Sequence, residues 1–305
     1  MMSAITGIFN ILATPFTPDG AVDTESLRRL VDFQLQLGAY GLTILGVLGE
    51  ASKLSVDERT HVMQTVVEQV NGRVPIVVGT SHPDSATCVR LSQSALEGGA
   101  AGVMVALPPL DGPSDEQIFA YYAALAAHLD GTIVVQDYPK VNNVTLPAAV
   151  IARIANEIPT ARYLKLEDPP LMEKARAIRA QTEHMAIFGG LGGMFLLEEL
   201  YAGTAGTMTG FAFTEVLVAV YQAYSSGDVV RATEIFDHYL PLIRYENQPE
   251  INLTIRKELL YRRGAMAHAG LRLPFRPIDR GTHDEITWVL QRVGITDPTQ
   301  IIRFS

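Results

Sequence analysis

Eight short β-rich runs recur along the first two-thirds of this chain, each followed by a helix-like stretch, and that beat limits the folds open to it. The runs are residues 7–14, 41–47, 75–80, 102–107, 132–136, 163–166, 186–189 and 206–209. They are almost continuously apolar rather than alternating, as expected for strands buried on both faces of a parallel sheet. Amphipathic stretches at 24–37, 56–70, 84–97, 115–129 and 147–157 fall between them. Ser55 and Ser114 precede acidic first turns, Pro147 suits a first helical position, and Gly38, Gly72 and Gly131 stand where helices should stop.

Eight such units within about 210 residues match a (β/α)8 TIM barrel, whose usual size is about 250 residues. An open doubly wound sheet would carry a Gly-x-Gly-x-x-Gly turn after its first strand; here that turn reads Ala13-Thr14-Pro15-Phe16. After Phe213 the strand signals stop and helical periodicity takes over at 214–225, 228–243, 250–263 and 283–293. The expected organisation is therefore a barrel over 1–212 and a C-terminal helical subdomain over 213–305 packed against it.

Composition removes several function classes. A net charge of −9 without a basic cluster argues against nucleic acid. No apolar run reaches the length of a membrane span, and no basic-then-apolar leader stands at the N-terminus. The single cysteine, Cys88, fits a reducing compartment, so a cytoplasmic, soluble protein is expected.

In such barrels the chemistry sits at the C-terminal ends of the strands. Those ends hold Thr14; Val47, Leu48, Gly49 and Glu50; Thr80, Ser81 and His82; Gln136; Lys165 and Glu167; Gly189; Met208 and Thr209. Only one histidine is among them, so no metal site is expected. His82, followed by Pro83, reads as a residue at a helix start. Ser81 and His82 are adjacent, which does not make a hydrolase triad. The glycines of 188–193 could cradle a phosphate or leave room for a bulky substrate.

Lys165 is the distinctive residue. A lysine in an apolar strand is desolvated, desolvation favours the neutral amine, and a neutral amine attacks a ketone to give an iminium. Glu167, one full pleat further on, points to the same side and suits general acid/base work or simple pairing with the lysine. The amides of the Gly46–Glu50 loop could hold a carboxylate.

The Gly46-x-x-Gly49-Glu50 loop, the Tyr138-Pro139 element, the strand-six Lys165, the opening Ala13-Thr14-Pro15-Phe16 and Gly206-Thr207-Met208-Thr209-Gly210 together resemble the dihydrodipicolinate synthase/N-acetylneuraminate lyase family. The resemblance implies a barrel with a helical tail, a homotetramer built from tight dimers, no cofactor, and a Schiff base between Lys165 and pyruvate or a substituted 2-keto acid. It also exposes departures. Val47 and Leu48 replace two threonines, and Gln136 stands where the family has its proton-shuttling tyrosine. Tyr138 lies two residues beyond that position. The tyrosine given across the dimer interface falls near Pro109 and Leu110, and the carboxylate-holding arginine near Val141.

Within the family, the strings Val135-Gln136-Asp137-x-Pro139, Thr80-Ser81-His82, Lys165-x-Glu167 and Pro241-Leu242-Ile243-x-x-Glu246-Asn247 are similar to those of the L-2-keto-3-deoxyarabonate dehydratase-like branch. That similarity implies a lyase dehydrating a 2-keto-3-deoxy sugar acid, with Lys165, Glu167 and Gln136 as catalytic residues. It implies substrate contacts from Val47, Leu48, Gly49, Glu50, Ser81, His82, Gly189, Met208 and Thr209. A pyruvate-dependent aldolase and a non-catalytic keto-acid-binding barrel are the alternative expectations.

Overall fold

The computed structural model describes residues 5–304. Its elements run β1 (Gly7–Ile11), α1 (Thr24–Gln36), β2 (Gly41–Ile44), α2 (Val56–Val70), β3 (Ile76–Gly79), α3 (Ser85–Glu97), β4 (Gly102–Ala106), α4 (Asp115–Ala126), β5 (Thr132–Asp137), a four-residue α5 (Pro139–Asn142), α6 (Ala148–Glu157), β6 (Tyr163–Leu166), α7 (Leu171–Arg179), β7 (Ala186–Gly189), α8 (Leu196–Tyr201) and β8 (Gly206–Thr209). The tail holds α9 (Thr214–Ser225), α10 (Val229–Glu246), α11 (Asn252–Arg262) and α12 (Arg280–Arg292). All eight strands are parallel, and β8 pairs with β1, so the sheet closes into the expected barrel.

The helices start where the sequence supplies caps. Ser55 and Ser114 close capping boxes with Glu58 and Gln117, and Asp23, Asp84 and Asp279 accept from amides three residues on. Gly38 and Gly72 end α1 and α2 with positive φ. Gly131 does not end α4, which stops five residues earlier at Ala126.

Side chains alternate across the barrel wall. Ile8, Leu42, Val78, Val103, Ile133, Leu164 and Ile187 face the helical layer and join the large outer core. Ile5, Phe9, Val77, Met104, Val134, Phe188 and Met208 form a separate cluster inside the barrel. Phe9 and Phe188 meet edge to face at 6.0 Å. This apolar plug fills the barrel interior, so polar groups inside the barrel collect at the strand ends.

The strand lengths need correction. The second strand is shorter than its apolar run suggests, because Leu45 takes a φ of 57° and residues 47–49 wind into a single 3₁₀ turn, and the first ends at Ile11 rather than Thr14. α9 packs on β1 as the helix of the eighth βα unit, and the additional helices begin with α10.

Candidate active site

Strand register sets the site. Gln136 on β5 is the register partner of Lys165 on β6, and Lys165 of Phe188 on β7. The three side chains therefore share one level of the wall, and pleat alternation returns Glu167 to the same side. Lys165 is 3% exposed and Glu167 6%. Lys165 Nζ lies 2.7 Å from Glu167 Oε2, and Gln136 Nε2 donates to the same oxygen at 3.0 Å. Two unlike donors on one carboxylate oxygen leave Oε1 and the Gln136 carbonyl free to act on a bound molecule.

The strand-seven glycines make this arrangement possible. A Cβ at Gly190 would stand 2.6 Å from Glu167 Cγ, so any side chain there would displace the carboxylate. A Cβ at Gly189 would collide with the Glu199 carboxyl on the opposite side of the strand. Gly189, expected among the substrate contacts, thus turns its open face towards α8 rather than the barrel mouth; Gly190 is the glycine against the candidate base.

Glu199 was not singled out by the sequence. It is buried behind β7 beside Leu166, Phe188 and Thr204, and neither carboxyl oxygen has a hydrogen-bond partner among the described residues. Burial raises its pKa to about 8, and the charges of Glu167 and Glu198 add to the rise. The Gly190 amide opposes the rise without meeting hydrogen-bond geometry. Its only signal in sequence is a doubled Glu198-Glu199 where helical periodicity leaves one of the pair facing inward.

Tyr138, two residues beyond the position of the family's tyrosine, makes no hydrogen bond to Glu167 among the described residues. Burial nevertheless raises its pKa, and the negative charge of Glu167 contributes. Asp137 points the other way, to Lys174 at 2.5 Å and the Leu146 amide at 3.3 Å, where burial lifts its pKa to about 6 against the pull of Lys174.

The loop after β2 is anchored from below. Thr14 Oγ1 donates to the Gly49 carbonyl at 2.7 Å. Glu50, expected as a substrate contact, has both oxygens engaged elsewhere: Oε1 takes Lys257 Nζ at 2.7 Å, and Oε2 takes Lys53 Nζ at 3.0 Å and the Arg272 amide at 3.1 Å. Lys257 also donates to the Gly270 carbonyl and lies 4.4 Å over the Phe16 ring; burial lowers its pKa to about 8. The carboxylate therefore fixes the loop rather than a ligand. Gly49 donates its amide to Gly46 within the 3₁₀ turn, while the Val47 and Leu48 amides have no backbone acceptor among the described residues.

The remaining expected contacts divide. Ser81 Oγ accepts from the Ala106 amide at 2.9 Å, and His82 Nδ1 accepts from the Asp84 amide at 3.0 Å, so the imidazole caps the turn into α3. The Ser81 hydroxyl hydrogen and His82 Nε2 are not used by these bonds. Met208 belongs to the apolar plug beneath the site, and Thr209, one residue on, alternates away from it. Gly210, beyond β8, faces the Leu48 side chain at the mouth. No group of three or more His, Cys, Asp or Glu able to hold a metal exists among the described residues, and none of the described helices is long and apolar enough to cross a membrane.

A closed parallel barrel with a buried lysine–carboxylate pair at its C-terminal rim defines a class I Schiff-base lyase, and the comparisons agree. The chain belongs to the Dihydrodipicolinate synthetase family, whose sequence profile matches residues 4–293. It is 34% identical over 294 residues to the L-2-keto-3-deoxyarabonate dehydratase of Azospirillum brasilense, covering 94% of each chain. It is 30% identical over 293 residues to the 4-hydroxy-tetrahydrodipicolinate synthase of Sorangium cellulosum, covering 95% of this chain and 96% of that one. The dihydrodipicolinate synthase structure from Rhodopseudomonas palustris superimposes with a TM-score of 0.89 at 36% identity, over 94% of this chain and 97% of the other.

Proposed function

We propose that this lyase dehydrates a 2-keto-3-deoxy sugar acid through an iminium on Lys165. The observation that carries the reading is the shared oxygen of Glu167, bonded at once to Lys165 and to Gln136. Lys165 must lose a proton before it can attack, and Glu167 Oε2 is placed to take it. The amine adds to C2 of the keto acid, and the carbinolamine hydroxyl leaves as water with the proton that Glu167 took, giving the iminium and restoring the Glu167 carboxylate. Glu167 then removes a proton from C3, forming the enamine. The enamine expels the C4 hydroxyl, which leaves as water with the proton that Glu167 returns. Addition of water at C2 releases the unsaturated keto acid and restores the amine.

Gln136 cannot exchange protons, but its amide orients Glu167 through Nε2 and can accept a hydroxyl at its carbonyl. The substrate carboxylate is assigned to the Val47 and Leu48 amides, which are free of backbone acceptors. Likeness to the Azospirillum brasilense dehydratase supports this substrate class, and Gln136 at the position of the family's proton-shuttling tyrosine argues against the synthase reaction.

The test is borohydride reduction in the presence of pyruvate, followed by peptide mapping, which also separates Lys165 from the second buried lysine, Lys257. An adduct on Lys165 that vanishes in Lys165→Ala is expected. An adduct on another residue, or none, overturns the assignment. A panel of 2-keto-3-deoxy acids scored for water loss and for pyruvate release then separates dehydration from aldol cleavage.

A further inference from the structure

Arg256 on α11 is 2% exposed and carries a guanidinium that the fold satisfies only in part. Its Nε donates to Glu246 Oε1 at 2.5 Å. The other oxygen of Glu246 accepts the Ala212 amide at 3.0 Å, so that carboxylate has no second contact to spare. Arg256 Nη1 is buried with no hydrogen-bond partner among the described residues. An unmet buried donor costs about 1–3 kcal/mol, and more on a charged group, so an acceptor brought to it by a ligand gains that amount.

Its position indicates where such a ligand would lie. A Cβ on Gly210 would lie 2.7 Å from Arg256 Nη1 and 2.9 Å from Leu48 Cδ1. The unpartnered nitrogen therefore sits over a glycine just past β8, beside the loop after β2, at the mouth that holds Lys165. Strand spacings of about 4.8 Å put β8 roughly 10 Å round the wall from β6. Gly210 and Lys165 thus open on the same barrel mouth. Sequence periodicity gives no hint of it, because α11 looks like an ordinary charged helix.

We propose that Arg256 Nη1 forms a distal subsite that binds a tail hydroxyl of the keto acid held at Lys165. The assignment rests on the Schiff-base reading above. The Glu246–Arg256 pair is already charge-balanced, so the vacant donor suits a neutral hydroxyl acceptor better than a second carboxylate. The subsite thus selects hydroxylated 2-keto acids over plain ones of the same length.

The experiment compares two ligands of equal chain length, 2-keto-3-deoxyarabonate and 2-oxopentanoate, by the concentration dependence of borohydride trapping at Lys165. Arg256→Lys keeps a cation against Glu246 but removes Nη1. It should weaken the apparent affinity for the hydroxylated acid about 10- to 100-fold, the loss expected for a charge-assisted hydrogen bond, and leave 2-oxopentanoate within about twofold. Gly210→Ala, which crowds Nη1 from the opposite side, should show the same selectivity and covers the case in which Arg256→Lys does not fold. Equal losses for both ligands, or no loss for either, overturn the subsite while leaving the lysine chemistry standing. Failure of the wild type to trap either acid overturns the Schiff-base reading and the subsite with it.

Discussion

Lys165 Nζ stands 2.7 Å from Glu167 Oε2, two residues along the same strand, with both groups almost wholly buried. A buried ion pair of this kind is weak evidence for stability, since desolvation offsets much of the attraction. Its value here lies in reactivity: the carboxylate is the nearest acceptor for the proton that the amine must lose, and the strand pleat holds the two at that spacing.

Glu167→Gln preserves shape and the link to Gln136 but removes the base. Turnover should fall by about 10²–10⁴-fold, the usual contribution of a positioned general acid/base, while a pyruvate adduct on Lys165 can still be trapped. Steady-state rates together with adduct mass on the same preparation check this. Full turnover in the variant would exclude Glu167 from the proton transfers.

The two strand-seven glycines should separate activity from stability. Gly190→Ala pushes on Glu167 and should cost at least about tenfold in turnover with a modest change in melting temperature. Gly189→Ala collides with Glu199 instead and should lower stability by about 1–3 kcal/mol, as overpacking does. Combining it with Glu199→Ala should restore part of that loss. Urea denaturation beside initial rates distinguishes the pair.

Glu199 predicts a pH dependence. Its pKa is raised to about 8 in the folded protein against an ordinary 4.5, so the folded state holds a proton that the unfolded chain has lost between those values. Stability from this group is complete below about pH 4.5 and declines as pH rises through about 8, by roughly 3–5 kcal/mol at most. Glu199→Gln, neutral at every pH, should remove that decline. Melting curves from pH 5 to 9 that run parallel for the wild type and the variant would rule the effect out.

Glu50→Gln should destabilise by about 3–5 kcal/mol, because it leaves Lys257 buried opposite a neutral amide. Glu50→Leu combined with Lys257→Met removes both charges and should cost less than the single change. Chemical denaturation of the three variants measures the difference. Loosening of the loop at Val47 and Leu48 would appear as a raised KM.

The barrel was legible because its signal is local. A strand buried on both faces must be continuously apolar, and helices must be capped, so eight βα units, the position of Lys165 at a strand end and its alignment with Glu167 all follow from adjacent residues. Departures such as Gln136 at the tyrosine position were equally plain. What pairs across the chain was not. Glu50 meets Lys257 more than 200 residues away, Glu199 backs onto Gly189, and Arg256 reaches Gly210. Each is a charged group of a type usually found in solvent; the closed barrel and the returning tail put it inside, where the fold decides its partners. The strand-end lysine and the barrel that carries it could thus be read from neighbouring residues alone. That Glu50 is taken up by Lys257 and the Arg272 amide, and that Ser81 accepts from the Ala106 amide, came from the fold, because a side chain's free hydrogen-bonding capacity depends on neighbours that the chain brings together only on folding.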